Sequence, residues 1–315
     1  MYARDAAFLD LRPHEAFTEQ TKYLDATLHA DAKHETVSPA LLSAGVRLRM
    51  LQRFLRPGPG DRMLDLGCGS GRVLMWNRPL GAYMAGLDVS PFFAREACDK
   101  VDLALGDLRR LPFRDAAFNK AYALDVFEHL SREGLRQMLD EAARVLEPGG
   151  LLFVYSHVRK NAPIAAGLRA VNALARWLER RGLVDLAQER LRKSDHVNPL
   201  ADIPDLEQTV GAAGFRVARI RYYTPILAGF VENIALRMAE HQLRRRQLPA
   251  NAEPGRAKPD GVRDARAAAT ARLARGGFAY TALRGLTWFL MLDVLLWGRV
   301  RSGPFFALFE KERRA

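Results

Sequence analysis

The stretch MLDLGCGSGR, Met63 to Arg72, limits this chain more than any other. A short apolar run ends in Asp65 and passes directly into Gly67, Gly69 and Gly71. Glycines in a turn between a strand and a helix leave backbone N–H groups open and put no Cβ in the way of a ligand. The spacing departs from the G-x-G-x-x-G of a dinucleotide site. No P-loop lysine follows, which weighs against a triphosphate.

The flanking pattern alternates short apolar runs with helix-like stretches. Strands are expected at 61–66, 81–90, 101–107, 118–125, 151–157 and 215–223. Helices are expected at 72–80, 91–98, 131–146 and 203–215, the third capped near Ser131 and stopped by Pro148-Gly149-Gly150. Strands alternating with helices imply a mostly parallel α/β sheet covered on both faces. Asp65, Asp88 and Asp107 then fall at the ends of the first three strands, where open parallel sheets bind ligands. A carboxylate after the second strand suits a ribose diol. Asp65 suits a cationic amino-acid group and Asp107 an adenine amino group. The plain alternative is that these aspartates only end strands and cap turns.

The run from MLDLGCGSGR through MAGLDVS and LALGDLRRLPFRDAAFNKAYALDVFEHL to EAARVLEPGGLLFV resembles the class I S-adenosylmethionine (SAM)-dependent methyltransferases. It is most similar to their small-molecule, ubiquinone/menaquinone-biosynthesis-like branch. A weaker match continues to the sixth strand. The resemblance implies a doubly wound, mostly parallel seven-stranded Rossmann-like sheet with helical cap insertions. PFFALFEKER, from residue 304, would be the antiparallel last strand, inserted beside the sixth. It implies SAM as cofactor. Gly67, Gly69 and Gly71 would pass under its methionine part, with Asp65 near the amino group and Cys68 a small filler rather than a nucleophile. Asp88 would take the ribose and Val89 flank the adenine. Asp107 and Leu108 would read the adenine edge, and Asp125 would border the site. The expected organisation is an N-terminal helical segment at 1–57 over the cofactor side and a methyltransferase domain at 58–315. Insertions fall at 158–202 and 224–303.

Methyl transfer needs an acceptor lone pair in line with the donor S–CH3 bond, and a base only if the acceptor must lose a proton. Candidates follow the fourth strand in Asp125-Val126-Phe127-Glu128-His129. His129 is the best general base by residue type, while Glu128 and His129 can equally serve to hold the loop. His157 and His196 are further candidates near an acceptor. No His/Cys cluster has zinc spacing, so no metal is expected. The residues after the fourth strand, Ala123-Leu124-Asp125-Val126, lack the Pro-Pro signature of exocyclic base-amine methylation.

Composition bears on the acceptor. The net charge is +12, carried by residues 159–193 and 241–275, each with nine Arg/Lys against three Asp/Glu. Solvated helix faces, an anionic surface and an acidic substrate all fit such a balance. No nucleic-acid module accompanies it, which disfavours RNA or DNA. Residues 244–263 read as an exposed linker. GLTWFLMLDVLLWG (285–298) is the most apolar run, but the residues between Arg284 and Arg299 are too few to span a bilayer. It is a pocket lid, a membrane-interface helix or a dimer contact, with Trp288, Phe289, Leu292, Leu295 and Leu296 as a core-packing stripe. Residues 162–191 form a second basic, amphipathic cap, with Ile164, Leu168, Val171, Leu174 and Leu178 as its apolar face. Two cysteines and no apolar leader fit a reducing, cytoplasmic setting, with attachment at a membrane surface. The expected acceptor is a hydrophobic or anionic small molecule or a lipid-linked one, methylated on O or C. Oligomerisation stays open. The alternatives are an RNA methyltransferase and a catalytically silent SAM-binding subunit.

Overall fold

A computed structural model describes residues 9–10, 37–159, 164–186, 190, 196–238 and 277–313. Most of the expected helical segment 1–57 and the expected linker 244–263 lie outside the described residues. The described part is built on one sheet. Its strands are β1 (Leu9–Asp10), β2 (Arg62–Leu66), β3 (Tyr83–Asp88), β4 (Asp102–Leu105), β5 (Phe118–Leu124), β6 (Leu146–His157), β7 (Phe215–Tyr222) and β8 (Pro304–Lys311). They lie in the order β1-β4-β3-β2-β5-β6-β8-β7. β8 runs antiparallel between β6 and β7, and the other described pairings are parallel. β2 through β8 are the seven expected strands in the expected arrangement. The two-residue β1 adds a parallel edge beside β4, inside a segment read as helical.

Alternation along the strands divides the core. On one face Leu64, Leu66, Leu152 and Val154 meet Leu135, Met138 and Leu139, with Leu206 and Val210 nearby. The second group of residues lies on α4 (Arg132–Val145) and the third on α6 (Ile203–Ala212). On the other face Met63, Tyr122, Phe153 and Phe306 meet Val46, Met50, Leu51 and Phe54 of α1 (Leu42–Leu55). Each such fully buried large side chain contributes roughly 1.5–3 kcal/mol. Asp65 follows Leu64 and so shares the α1 face with Met63, which decides where the site forms.

Local chemistry sets the element ends. The Ser131 hydroxyl accepts from Gly134 N and caps α4. The helix ends at Val145, and the Pro148 region is already strand: β6 starts at Leu146 opposite Phe118. α2 (Arg72–Asn77) yields at Pro79 to a 3-10 turn, Arg78–Leu80. α3 (Arg95–Cys98) is shorter than the expected 91–98, because the chain approaches it extended at Ala94.

The caps differ from their sequence reading. α5 (Ala165–Arg180) buries Ala165, Ala175 and Leu178 but leaves Leu174 and Trp177 exposed. α7 (Ile226–Phe230) packs against it. The apolar run forms α8 (Phe278–Leu290) and α9 (Leu292–Trp297). Counted from Phe278 it reaches 20 residues, enough by length and composition to cross a membrane, whereas the stretch after Arg284 alone is too short. The face it buries carries Thr287, Leu290, Met291, Asp293 and Val294, whereas Trp288, Phe289, Leu295 and Leu296 face outward. Polar anchors explain this choice. Thr287 Oγ1 accepts from Leu42 N, and the Asp293 carboxylate accepts from Leu227 N and Ala228 N. Turning the apolar stripe inward would strand those N–H groups.

Candidate active site

The carboxyl ends of β2, β3, β4 and β5 carry the acidic residues to one rim of the sheet. The order reverses between β2 and β5, the position at which such sheets bind ligands. A cavity of about 190 Å³ opens there, lined by Asp65, Gly67, Cys68, Gly69 and Ser70 from the loop. Arg72, Val73 and Trp76 come from α2, Leu124 and Asp125 from the end of β5, and Ala44, Arg47 and Leu48 from α1.

The loop between β2 and α2 is stitched to β3. Gly67 N and Cys68 N both donate to Leu87 O, and Gly69 N donates to Asp88 Oδ2 at 2.7 Å. Asp88 Oδ1 accepts from Ser90 N. Gly69 has φ +53 and only open space where a Cβ would stand, so its backbone is bare toward the cavity. At Gly67 (φ +82) a Cβ would come within 2.7 Å of Val126 Cγ2, which ties the loop to the segment after β5.

Asp65 is 2% exposed, and its Oδ2 finds no hydrogen-bond partner in the described structure. Burial pushes its carboxyl well above the usual range, and the Tyr122 hydroxyl beside it pulls back. A buried oxygen of this kind at the cavity wall fits a cationic ligand group such as an amino-acid ammonium. Cys68 is buried and its thiol pushed up by that burial, which suits packing rather than nucleophilic attack.

Asp125 sits in the left-handed region (φ +56), half exposed, and accepts from Arg47 Nη1 at 2.6 Å. The Arg47 guanidinium also lies 5.3 Å from the centre of the Tyr155 ring. Asp88, Val89, Asp107 and Leu108 lie outside the cavity lining. Val89 is half-buried and Leu108 buried. Both Asp107 oxygens accept from the Arg109 side chain, at 2.6–3.0 Å, so an adenine amino group there would share the carboxylate with a guanidinium.

Beyond Asp125, the 3-10 turn Phe127–His129 presents Glu128 and His129. Glu128 is 2% exposed, and its Oε2 accepts from Ser156 Oγ at 2.7 Å. Burial, with the Asp125 charge adding, pushes its pKa up to about 8. His157 Nδ1 lies 3.8 Å from Glu128 Oε1. The His196 ring meets His129 edge-on at 4.7 Å between centroids and His157 at 5.4 Å. Glu128, His129 and His196 therefore converge, and His157 joins them. A carboxylate oxygen of Glu128 and one ring nitrogen from each of His129 and His196 lie within 4.8 Å of one another, close enough to share a cation.

Arg47 and Ser156 were missed in the sequence. Arg47 had a signal, since it interrupts the stripe Ala44, Arg47, Leu48, Leu51 at helical spacing. Ser156 had none beyond its place before His157.

Fold and site together define a class I methyltransferase-type domain. Residues 64–154 match the family model described as "Methyltransferase domain". That stretch thus carries a methyltransferase domain, and the sheet, glycine loop and Asp65 around it fit SAM as the donor. It is 30% identical over 175 residues to a ubiquinone biosynthesis O-methyltransferase of Azorhizobium caulinodans, covering 53% of this chain and 64% of that one. It is 30% identical over 107 residues to a sterol 4-C-methyltransferase of Caenorhabditis elegans, covering 31% of each. The matches thus span less than two thirds of either relative's length. Among solved structures, the cyclase SpnF superposes with TM-score 0.53 at 19% identity over 94% of this chain and 95% of that one. That likeness concerns the fold alone.

Proposed function

We propose that the whole chain transfers the methyl group of SAM to oxygen or carbon of a hydrophobic small molecule or lipid-linked acceptor, working at a membrane surface. One observation carries the reading. The partnerless buried Asp65 oxygen and the bare Gly69 backbone share a cavity wall with Asp125, and three residues past Asp125 the Glu128–histidine group begins. A donor-binding end and a proton-handling end are thus adjacent. The bound donor supplies an electrophilic methyl on a sulfonium. Asp65 holds its cationic amino-acid end, the glycine loop lets it approach, and Leu48, Val73 and Trp76 keep water away. The histidines and Glu128 stand where an acceptor hydroxyl loses its proton. The named relatives act on ubiquinone precursors and sterols, both hydrophobic, which supports the acceptor class.

The membrane part rests on the outer face of the caps. Phe278 is 91% exposed and Leu295 65%, with Trp288, Phe289 and Leu296 beside them and Arg284, Arg299 and Arg301 flanking. α5 adds Leu174 and Trp177 among exposed Arg169, Arg176 and Arg180. Apolar and aromatic side chains rimmed by arginines suit insertion into an anionic interface. The test is methyl-labelled SAM offered with a cell lipid extract or with total RNA. Label in the organic phase is the expected result. Label in RNA favours base or ribose methylation instead, and donor binding without transfer to either marks a silent SAM-binding subunit.

A further inference from the structure

α1 forms one wall of the donor cavity with Ala44, Arg47 and Leu48, yet its first turn has no cap of its own. Leu41, the residue before it, is extended and brings no side-chain acceptor. The first N–H groups of a helix have no partner inside it, so acceptors must come from elsewhere. Here two arrive from the insertion between β7 and β8. Leu42 N donates to Thr287 Oγ1 of α8 at 2.8 Å, and Ser43 N donates to Glu232 Oε1 at 2.8 Å. Glu232 sits in a π-helical turn, Val231–Ala235, that continues α7. Its negative charge suits the positive end of a helix. Thr287 is buried, and its hydroxyl donates to Leu283 O, which leaves the oxygen lone pairs for Leu42.

Two further features make the first turn depend on these contacts. Leu42 stands at φ +58, a left-handed conformation that a bulky side chain keeps only where its surroundings hold it. At Gly45 a Cβ would lie 2.6 Å from Thr287 Cγ2, so α8 approaches α1 too closely for a side chain there. Further along α1, Val46, Met50, Leu51 and Phe54 are buried in the core and need no such support. The cavity-lining residues begin at Ala44, directly after the two capped positions.

We propose that Thr287 and Glu232 are positioning residues for the donor: by capping α1 from the insertion they hold Ala44, Arg47 and Leu48 against the cavity and set how tightly SAM is retained. The inference rests on the donor reading of that cavity and extends it to two residues that do not line it. Without the two acceptors the first turn frays and the wall opens. The coupling is reciprocal, so a donor in the cavity also holds the turn closed.

S-adenosylhomocysteine binding to the full chain, read by titration calorimetry, tests the latch. Thr287→Val combined with Glu232→Ala is expected to weaken binding on the order of tenfold. Thr287→Ser and Glu232→Gln each keep an acceptor oxygen and are expected to bind as the parent chain does. Ser131→Ala removes the cap of a helix that does not line the cavity, and is expected to lower the denaturation midpoint with affinity unchanged. Amide exchange at Leu42 and Ser43 is expected to slow when the parent binds ligand and to stay fast in the double variant. Parent-like affinity in the double variant overturns the proposal. An equal loss in Ser131→Ala also overturns it, because general destabilisation would then account for the effect. If the double variant does not fold, Glu232→Ala against Glu232→Gln makes the same comparison, and equal affinity overturns the proposal. A parent chain that binds no S-adenosylhomocysteine overturns the donor reading and this inference with it. Binding by parent and variants alike overturns this inference alone.

Discussion

Asp65 places a carboxyl at the cavity wall with only 2% of the residue exposed. In the native state it holds its proton to higher pH than the unfolded chain's aspartate does, because burial penalises the charged form. Between the unfolded pKa, about 4, and the raised one, the folded state binds the extra proton. Stability therefore falls as pH rises through that window. Asp65→Asn is expected to flatten the decline of Tm as pH rises above the unfolded aspartate's value and to abolish S-adenosylhomocysteine binding. A fluorimetric melt with and without ligand reads both, and an unchanged slope would mean the carboxyl is not buried as described. Gly69 gives a complementary case. An alanine there adopts a left-handed φ at a cost of about 1–2 kcal/mol and points its methyl into open space. The expected outcome is a modest loss in Tm with a loss of ligand affinity larger than that strain accounts for, read by calorimetric titration.

At the scale of elements, two polar contacts decide which faces pack. Ser131 caps α4, and Ser131→Ala is expected to cost about 1 kcal/mol, visible as a lower denaturation midpoint with the donor site intact. Asp293 is fully buried and accepts from two backbone N–H groups at the start of α7. Asp293→Ala leaves both donors without that acceptor, at roughly 1–3 kcal/mol apiece. It should loosen α9 from α7, with faster amide exchange at Leu227 and Ala228 as the readout. The strand pattern was legible in the sequence because alternation and the Asp-ended runs are local. The outward turn of Leu295 and Leu296 was not, because the contacts that set it come from Leu42, Leu227 and Ala228, all distant along the chain. α5 shows the same limit: small Ala175 goes inside beside Leu178, Val184 and Ile234, and Leu174 is left out.

Among the described residues, most of the exposed large apolar side chains lie on α5, α8 and α9 rather than on the sheet. Leu295→Glu with Leu296→Glu adds two negative charges to that face without touching a buried side chain. The pair is expected to leave Tm and S-adenosylhomocysteine affinity unchanged and to end co-flotation with vesicles containing anionic lipid. Flotation equal to the parent chain would remove the membrane surface from the functional reading. The acceptor-side group is also a property of the whole molecule, since Glu128 and His129 follow β5, His157 ends β6 and His196 returns before α6.

The sequence by itself determined the sheet, the glycine loop and the donor class. Those follow from strand periodicity, from glycines at positions of positive φ and from carboxylates at strand ends, all fixed within a few residues. Only the tertiary structure decided that Arg109 engages Asp107, that Arg47 pairs with Asp125, and that three histidines close around Glu128. It also decided which side of the apolar helices faces out. Each of these depends on buried polar groups finding partners far away in the chain, and burial of that kind exists only once the chain has folded.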